Sequence, residues 1–547
     1  VICGAARRFF SRLPAGEAIP DLQGINMQQL FAILAASAIL ASCAVSGDSQ
    51  ATAEEASESP AFHEPIEYVP SALGPYSWKI TTSSETAQKF FDQGLQMRYA
   101  FGMNDAARSF HQAQREDPDC AMCYWGEAFA LGSFLNGGMT AEKAPYAHAA
   151  IEKAVALSGE ATELERDLIM AARDRYPADY DPANRRPVDE AFAVRMQVLY
   201  EKYPGDHEVA TIYAVALFML EERRGYRDIN DPDLIRLHAV LTGVLDEDLT
   251  HPGACHLYIH ATESSQHPEL ALPCADYLSD AVPAARHNQH MPSHTWNVVG
   301  YWGKSVRANT KAWHSDLKAR QGKGFSYGAG HNLHMLLFAA SMDGQGAVAT
   351  QAGKDYAKET GNTMYQVLTL LRFGRYDEIP AITGRPSAEI AGGFWDFAQG
   401  YAAAHNGDSS LARRYLGKVE TLARESTARF RFHDASQLLG LSAAILEGEI
   451  LRLDGDLDGA IAAFERAAAF DDQQAYDEPE PIPFAARHWL GAALLEAGRY
   501  AEAEAVYRTE LADHPHNVWS LTGLKAALEA QGRSDPEFDA DFEASTA

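Results

Sequence analysis

The strongest constraint on the fold is a helix–turn–helix segment that recurs along the chain. Its clearest copy runs from Ala486 to Pro515, where small, bulky and proline positions follow one another with the spacing of two helices joined by a short turn. Further copies run from Glu447 to Phe470 and from Gly94 to Asp119. From residue 82 onward few alternating β-branched runs interrupt this helical period. The pattern predicts an all-α chain of stacked helix pairs.

The clearest copy also resembles a known repeat, the tetratricopeptide (TPR) consensus of about 34 residues. The matching positions are Leu490, Gly491, Leu494, Gly498, Tyr500, Ala503, Tyr507 and Pro515. Weaker copies begin near Ala121, Glu208, Pro252, Pro292, His331, Thr363 and Phe394. We therefore expect an α-solenoid of TPR-type hairpins over residues 76–535, in which the first helices line a long concave surface. The proline-containing stretch 471–483 is expected to be a surface loop.

The charge balance argues against a nucleic-acid partner. The chain has 46 basic and 75 acidic residues, a formal net charge of -29. Binding to nucleic acid needs a local excess of positive charge that displaces counterions. The acidity suits solvated helix surfaces instead, and residues 536–547 are interpreted as an acidic tail.

A signal for export is expected near the start of the chain. An apolar run from Leu30 to Leu40 is followed by Ala41, Ser42 and Cys43, which resembles the lipobox of bacterial lipoproteins. The run is shorter than the roughly 20 apolar residues of a membrane-spanning helix. No Lys or Arg lies between Met27, the expected start, and this run, so either translation begins upstream or the basic region is atypical. The alternative is an ordinary hydrophobic helix at a domain edge.

These features predict the domain order and the location. Residues 1–43 are expected to be a leader and lipoprotein signal peptide, with Cys43 as the lipidated residue that anchors the protein to a membrane. Residues 44–75, rich in Ala, Ser, Glu and Pro, are expected to form a flexible tether. The protein is then expected on the periplasmic side of the cell envelope, and Ala44 favours the outer membrane over retention at the inner one.

Four cysteines remain for disulfide bonds in an oxidising compartment. Three pairings are possible in principle. We expect Cys255 to pair with Cys274, because both lie on consecutive helices of one hairpin, and Cys120 with Cys123 by default. A redox role for the second pair stays open, since a thiolate is stabilised at a helix start.

Histidines are concentrated in the middle third of the chain. Ten of the 20 lie between His251 and His334, within the segments HPGACHLYIHATESSQH, RHNQHMPSH and GAGHNLH and at one isolated position. A lone buried histidine usually serves as a hydrogen-bonded core residue, but this density is far above what such a role requires. The segment 251–334 is therefore the candidate functional centre.

The spacing within these segments places imidazoles on shared helix faces. On a helix beginning near Pro252, His256 and His260 are one turn apart, and Glu263 continues the same stripe. Pro292 at the first position of another helix would place His294 in its first turn.

Two further relationships extend the pattern. His290 is expected in the loop just before that second helix, and His331 and His334 are three residues apart at the start of the following first helix. His256, His294 and His334 are separated by 38 and 40 residues, so they occupy equivalent positions of three consecutive repeats. If first helices line one wall, these histidines converge.

Converging imidazoles predict a transition-metal site. The candidate ligands are His256, His260, Glu263, His287, His290, His294, His331 and His334. Copper and zinc are the expected ions, and the neighbouring Met291 and Met335 favour copper slightly. Glu263 is a candidate ligand or general base. A polar ligand pocket without metal, or simple packing, are the alternatives.

Several segments together resemble a family of TPR lipoproteins and periplasmic proteins of Gram-negative bacteria. The resemblance covers nearly all of residues 85–533 and rests on segments such as HPGACHLYIHATE and HMPSHTWNVVGYWGKSVRAN. It implies that the histidine segments form a common site, but it transfers no catalytic assignment. Three functions remain open: a metal-dependent enzyme, a scaffold that binds a peptide or envelope protein in the groove, and metal storage or delivery.

Overall fold

The computed structural model describes residues 60–221, 227–281, 286–319 and 329–546. The expected leader 1–43, its start at Met27, the lipidation site Cys43 and the first part of the expected tether lie outside these residues. The helices in the first half of the described chain are α1 (Glu85–Tyr99), α2 (Met103–Glu116), α3 (Ala121–Leu131), α4 (Ala144–Leu157), α5 (Glu163–Arg173), α6 (Arg186–Lys202), α7 (His207–Phe218), α8 (Pro232–Leu245), α9 (Pro252–Thr262), α10 (Leu272–Ala281), α11 (Arg286–His290), α12 (Pro292–Val298) and α13 (Trp302–Ala319).

The second half continues in the same way. Its helices are α14 (Ala329–Met342), α15 (Gly346–Thr360), α16 (Met364–Arg372), α17 (Glu389–His405), α18 (Ser409–Glu425), α19 (Ala435–Leu453), α20 (Leu457–Asp471), α21 (Arg487–Glu496), α22 (Tyr500–Asp513), α23 (Val518–Ala530) and α24 (Pro536–Thr546). A two-stranded antiparallel ladder, β1 (Arg429–Phe430) and β2 (His433–Asp434), precedes α19. No helix of the described residues is both long and apolar enough to cross a bilayer.

A glycine–aromatic–glycine contact explains why neighbouring hairpins stack at the start of the array. Gly94 on α1 and Gly126 on α3 both lie against the ring of Phe110 on α2. A Cβ atom on Gly94 or Gly126 would lie 2.9 or 2.4 Å from that ring. The aromatic ring therefore fills the space between one first helix and the next, and only glycine leaves room for it.

The same contact recurs at the end of the array with identical spacing. Gly491 on α21 and Gly523 on α23 lie against the ring of Tyr507 on α22. In both cases 16 residues separate each glycine from the aromatic residue. The same interhelical contact therefore recurs at both ends of the helix array. The described chain is an all-α solenoid of TPR-type hairpins, as the sequence predicted.

Two segments differ from the sequence expectation at the ends of the solenoid. The described part of the expected tether, from Pro60 on, packs on the first hairpins: Phe62 is 3% exposed, and Arg108 donates to the carbonyl of Glu64 at 3.1 Å. The expected acidic tail contains helix α24, whose Phe538 is buried. In both segments apolar side chains that composition alone overlooks attach the backbone to the solenoid.

The four cysteines form two disulfide bonds. Cys120 is bonded to Cys123, and Cys255 on α9 is bonded to Cys274 on α10. These are the pairs favoured from the sequence. The second bond holds α9 and α10 together one residue before His256.

The C-terminal hairpins contact the middle of the chain. Trp302 at the start of α13 donates its indole N–H to the carbonyl of Pro515 at 2.8 Å, and Trp519 on α23 donates to the carbonyl of Ser341 at 2.7 Å. The segment 471–483 fills part of this junction, with Asp477 buried. The part of this segment from Asp477 to Pro483 is mostly buried, which differs from the expected surface loop, whereas Asp472 and Gln473 are exposed as expected.

Candidate metal centre

Helix α9 positions the first two imidazoles. Pro252 occupies its first position, and the Nδ1 atom of His251 accepts the backbone N–H of Ala254, which fixes where the helix begins. His256 and His260 follow one turn apart, and both are fully buried. This is the arrangement that the sequence predicted for α9.

One group of three imidazoles forms between α9 and α11. His256, His260 and His287 each offer a nitrogen, and these nitrogens all lie within 4.8 Å of one another. The Nε2 atoms of His256 and His287 are 3.1 Å apart. The ring of Phe101 covers this group, with its centroid 4.2 Å from that of His256. We call these three residues group A.

A second group forms between α11, α12 and α14. His290, His294 and His331 offer nitrogens that also lie within 4.8 Å of one another. The Nε2 atoms of His290 and His294 are 2.8 Å apart, and the ring of His331 lies 4.5 Å from that of His290. We call these residues group B. His290 lies on the short helix α11 rather than in the expected loop.

Glu263 connects the two groups. Its Oε1 atom lies 2.8 Å from Nδ1 of His260 in group A, and its Oε2 atom lies 2.6 Å from Nδ1 of His294 in group B. One carboxylate thus accepts an N–H from both groups. The sequence suggested Glu263 as a ligand or general base, and Glu263 does form a further possible ligand group with His260, His294 and Glu478, whose ligand atoms lie within 4.8 Å of one another. Its two hydrogen bonds also orient an imidazole of each group.

The hydrogen bonds of group B fix the state of its Nε2 atoms. His294 donates its Nδ1–H to Glu263, and His290 donates its Nδ1–H to Oδ1 of Asn309 at 2.9 Å. The amide of Asn309 is oriented because its Nδ2 donates to the carbonyl of Ser305. With both rings neutral, each Nε2 atom presents a lone pair to the other across 2.8 Å, and a proton or a metal ion held by the two nitrogens would stabilise this contact.

Group A has the same outer arrangement. The Nδ1–H of His256 bonds to the carbonyl of Tyr99, the last residue of α1, and that of His260 bonds to Glu263. A carbonyl oxygen can only accept, so the Nε2 lone pair of His256 faces inward. Metal-binding histidines are usually held in this way by an acceptor on the far nitrogen.

Burial favours the neutral form of three of the imidazoles. Desolvation, followed by repulsion from neighbouring imidazoles, lowers the pKa of His287, His290 and His331 well below its usual value. A neutral imidazole is the form that binds a metal ion.

His334 is not part of either group, which corrects the expectation of three equivalent positions. Its ring stacks on Tyr365 with centroids 4.3 Å apart, and its Nδ1 atom lies 3.5 Å from Nη1 of Arg431. One turn of α14 separates it from His331, which does reach group B. The register of α14 relative to α12 therefore differs from a simple repeat translation.

Sequence reasoning missed several residues around the site. Glu478, from the segment 471–483, places Oε2 3.7 Å from Nδ1 of His294. Asn309 and Phe101 also contact the groups, from α13 and from the turn after α1. No periodic signal marks these positions. Only the acidic run DEPEP hinted that its loop has a polar partner.

A small pocket gives access to group B. It has a volume of about 70 Å³ and lies between α12, α14 and the segment 471–483. Its lining includes His294, Met335, Glu478, Glu480 and His514. Imidazole, thioether and carboxylate groups thus face the same space beside the second imidazole group.

A separate polar cluster lies near the N-terminal end of the described chain. Nε2 of His63 lies 2.5 Å from Oε1 of Glu127, and the rings of His63 and His111 stack 4.1 Å apart. Burial alone would raise the pKa of Glu127, but hydrogen bonds from His111 and His63 lower it to about 2. This cluster attaches the segment after Pro60 to α2 and α3.

Comparisons with known proteins find similarity in structure alone. No family model matches the chain, and none of the curated proteins matches it. Among solved structures it is similar to the P58(IPK) TPR domain, with 11% identity and a TM-score of 0.21 over 82% of this chain and 98% of that one.

Two further solved structures are similar at the same level. The APC/C hetero-tetramer Cut9–Hcn1 has 13% identity and a TM-score of 0.29, over 81% of this chain and 90% of that one. A human IFIT1 dimer with m7Gppp-AAAA has 10% identity and a TM-score of 0.30, over 82% and 94%. At TM-scores this low they carry no argument, and we assign the fold from the hairpins described above.

Proposed function

We propose that this protein is an exported metalloprotein that holds two transition-metal ions, one on group A and one on group B, and that it is a metal-dependent enzyme. The observation that carries the proposal is the convergence of three imidazole nitrogens within 4.8 Å in each group, with Nε2 of His290 and Nε2 of His294 only 2.8 Å apart. Six converging imidazoles, four of which have an acceptor on the outer nitrogen, support two ions rather than one.

The ligand number favours a reactive site over a purely structural one. Structural zinc sites close their coordination sphere with four protein ligands, whereas catalytic sites keep three and leave one position open. Each group supplies three imidazoles. The pocket beside His294 gives the open position of group B a route to a substrate.

Copper is the proposed ion and zinc the alternative. Imidazole suits both, and a given nitrogen site binds Cu²⁺ more tightly than Zn²⁺. Met335 lines the pocket beside group B and adds a soft sulfur. Export and lipid anchoring at Cys43 belong to the same proposal, since two disulfide bonds suit an oxidising compartment.

Metal analysis tests the proposal. Wild-type protein reconstituted with Cu²⁺, and separately with Zn²⁺, is freed of loose ions by gel filtration and its metal content measured. We expect about two ions per chain, and about one in each of the variants His256→Ala and His331→Ala, because each keeps one complete group. His267→Ala is the matched control, since that imidazole is exposed and bonds to Glu269 outside the groups.

Other results would overturn the proposal. A wild-type protein that retains no ion, or a control variant that loses as much metal as His256→Ala, would leave the solenoid as a scaffold for a peptide or envelope protein. More than two tightly held ions without turnover would favour storage or delivery.

A further inference from the structure

A buried arginine without an ion-pair partner lies in the C-terminal half of the solenoid, away from the imidazole groups. Arg372 ends helix α16, and it is only 9% exposed. Its guanidinium lies 3.8 Å above the ring of Trp519 and 5.6 Å from that of Trp489. Within the part of the chain that the structure describes, no carboxylate lies at ion-pair distance from it.

The polar contact of Arg372 is with a neutral group. Its Nη2 atom donates to Nδ1 of His488 at 2.8 Å, while Nε2 of His488 donates to Oδ1 of Asn517 at 3.0 Å. The amide of Asn517 is fixed because Oδ1 also accepts the backbone N–H of Ser520. Burial, followed by the charge of Arg372, lowers the pKa of His488 well below its usual value. The positive charge is therefore not compensated by this partner.

Arg372 faces a large pocket whose other walls are aromatic. The pocket has a volume of about 640 Å³ and includes Tyr376, Tyr401, Trp489 and Trp519 in its lining. This volume is in the range that suits a small organic ligand. A buried charge is costly unless a counter-charge approaches it. The buried carboxylate of Glu510 offsets part of the lowering that burial causes in the pKa of Arg372, and an anion in the pocket would add a second counter-charge.

The two acidic side chains of this pocket contact other residues. Glu449 bonds to both Arg452, at 2.9 Å, and to Nε2 of His405, at 2.8 Å. Glu496 is paired with Arg452 at 3.0 Å and lies near the surface. Neither carboxylate forms an ion pair with Arg372, and both are held by Arg452 instead.

We propose that this pocket binds a small organic anion with a flat aromatic body, whose carboxylate or phosphate pairs with Arg372 while its ring stacks among Trp489, Trp519 and the two tyrosines. A guanidinium presents paired N–H donors that match either anion. The aromatic walls supply the apolar contact that holds the remainder of the ligand. This site is separate from the metal groups and does not depend on the metal proposal.

Calorimetric titration of the full chain tests the inference with three probes of one shape: 1-naphthoate, 1-naphthyl phosphate and 1-naphthylmethanol. We expect at least one of the two anions to bind about tenfold or more tightly than the uncharged alcohol. A charge-assisted hydrogen bond in a buried site contributes enough binding free energy for an affinity difference of that size. The better anion identifies whether the ligand carries a carboxylate or a phosphate.

Variants separate the role of Arg372 from general damage. Arg372→Gln is expected to lose about tenfold or more of the anion affinity while the affinity for the alcohol stays within about twofold, and Arg372→Lys is expected to fall between. Arg375→Gln makes the same charge change three residues on, at an exposed arginine paired with Glu378, and is expected to bind as the wild type does. Metal content is expected to be unchanged in all three.

The inference fails if no probe binds, or if the alcohol binds as tightly as both anions. It also fails if Arg375→Gln loses as much affinity as Arg372→Gln. If Arg372→Gln does not fold, the affinities of the wild-type protein for the anions and for the alcohol still test the inference.

Discussion

Oε2 of Glu263 accepts the Nδ1–H of His294 at 2.6 Å, although Glu263 follows the end of α9, His294 lies on α12 and the two are 31 residues apart in the chain. Because Oε1 of the same carboxylate accepts from His260, one side chain orients an imidazole in each group. The two groups are thus coupled through a single acidic residue rather than built independently.

Glu263→Gln is expected to weaken metal binding at both groups. An amide accepts at only one of its two ends, so either His260 or His294 would face an N–H donor in place of an oxygen. Loss of such an outer acceptor typically costs about 10- to 100-fold in metal affinity. Competition with a coloured chelator measures this.

The matched control is Glu269→Gln, which changes an exposed carboxylate that bonds to His267. It is expected to bind metal as the wild type does. Equal losses in the two variants would contradict the role assigned to Glu263.

Gly253→Ala is expected to destabilise the protein and to disturb group A. A Cβ atom at this position of α9 would lie 2.6 Å from the ring of Tyr99. The ring is buried and its hydroxyl is bonded to Glu208, so it cannot move aside freely, while its backbone carbonyl holds His256. Overpacking of this kind costs about 1–3 kcal/mol, measurable by urea unfolding.

Gly243→Ala on α8 provides the comparison, because nothing lies within 4 Å of its added Cβ. An exposed helical glycine changed to alanine is expected to leave stability equal or higher. A Gly253→Ala variant as stable as Gly243→Ala would show that the contact with Tyr99 relaxes without cost.

Local rules predicted the residues on α9 and much of the repeat pattern. The start at Pro252, the one-turn spacing of His256 and His260, and the glycine and aromatic positions follow from helix geometry within a single hairpin. Such features depend only on nearby sequence, which is why they could be read before the structure.

The remaining parts of the site depend on how hairpins stack. His334 was placed with His256 and His294 by assuming an exact repeat translation, but α14 turns so that His331 faces group B instead. Glu478, which lies near His294 in space, belongs to a segment far later in the chain. No period in the sequence connects it to the histidines. Long-range register of this kind is set by the summed packing of many helices.

Glu127 is expected to make stability fall in acid. Its folded pKa of about 2 is below the ordinary 4.5, so the stabilisation it contributes is fully present above pH 4.5 and is lost as the pH falls through the folded value. Between pH 5 and pH 3 this amounts to about 2 kcal/mol of unfolding free energy.

Urea unfolding of wild type and Glu127→Gln at the two pH values measures this difference. The variant is expected to lose about 2 kcal/mol less than the wild type on acidification. Glu160→Gln, at an exposed position, serves as the control and is expected to follow the wild type. The same pH dependence of the unfolding free energy in all three proteins would contradict this role of Glu127.

The bond between Cys255 and Cys274 is expected to contribute more stability than that between Cys120 and Cys123. Its cysteines are 19 residues apart, whereas those of the other bond are 3 apart. Loop-closure entropy then gives about 3 kcal/mol for the longer loop and about 2 kcal/mol for the shorter one.

Double Cys→Ser variants at each bond, compared by urea unfolding, test this order. The Cys255→Ser/Cys274→Ser variant is also expected to bind metal more weakly, because it frees the backbone next to His256. The reverse order of stabilities, with metal affinity unaffected, would contradict both expectations.

The hydrogen bonds from Trp302 to Pro515 and from Trp519 to Ser341 have a consequence for the order of events during biosynthesis. The histidines are synthesised long before Glu478 and the C-terminal hairpins. A nascent chain therefore contains the histidines before the segments that pack against them exist. On the proposed function, stable metal binding would therefore follow the docking of the last hairpins.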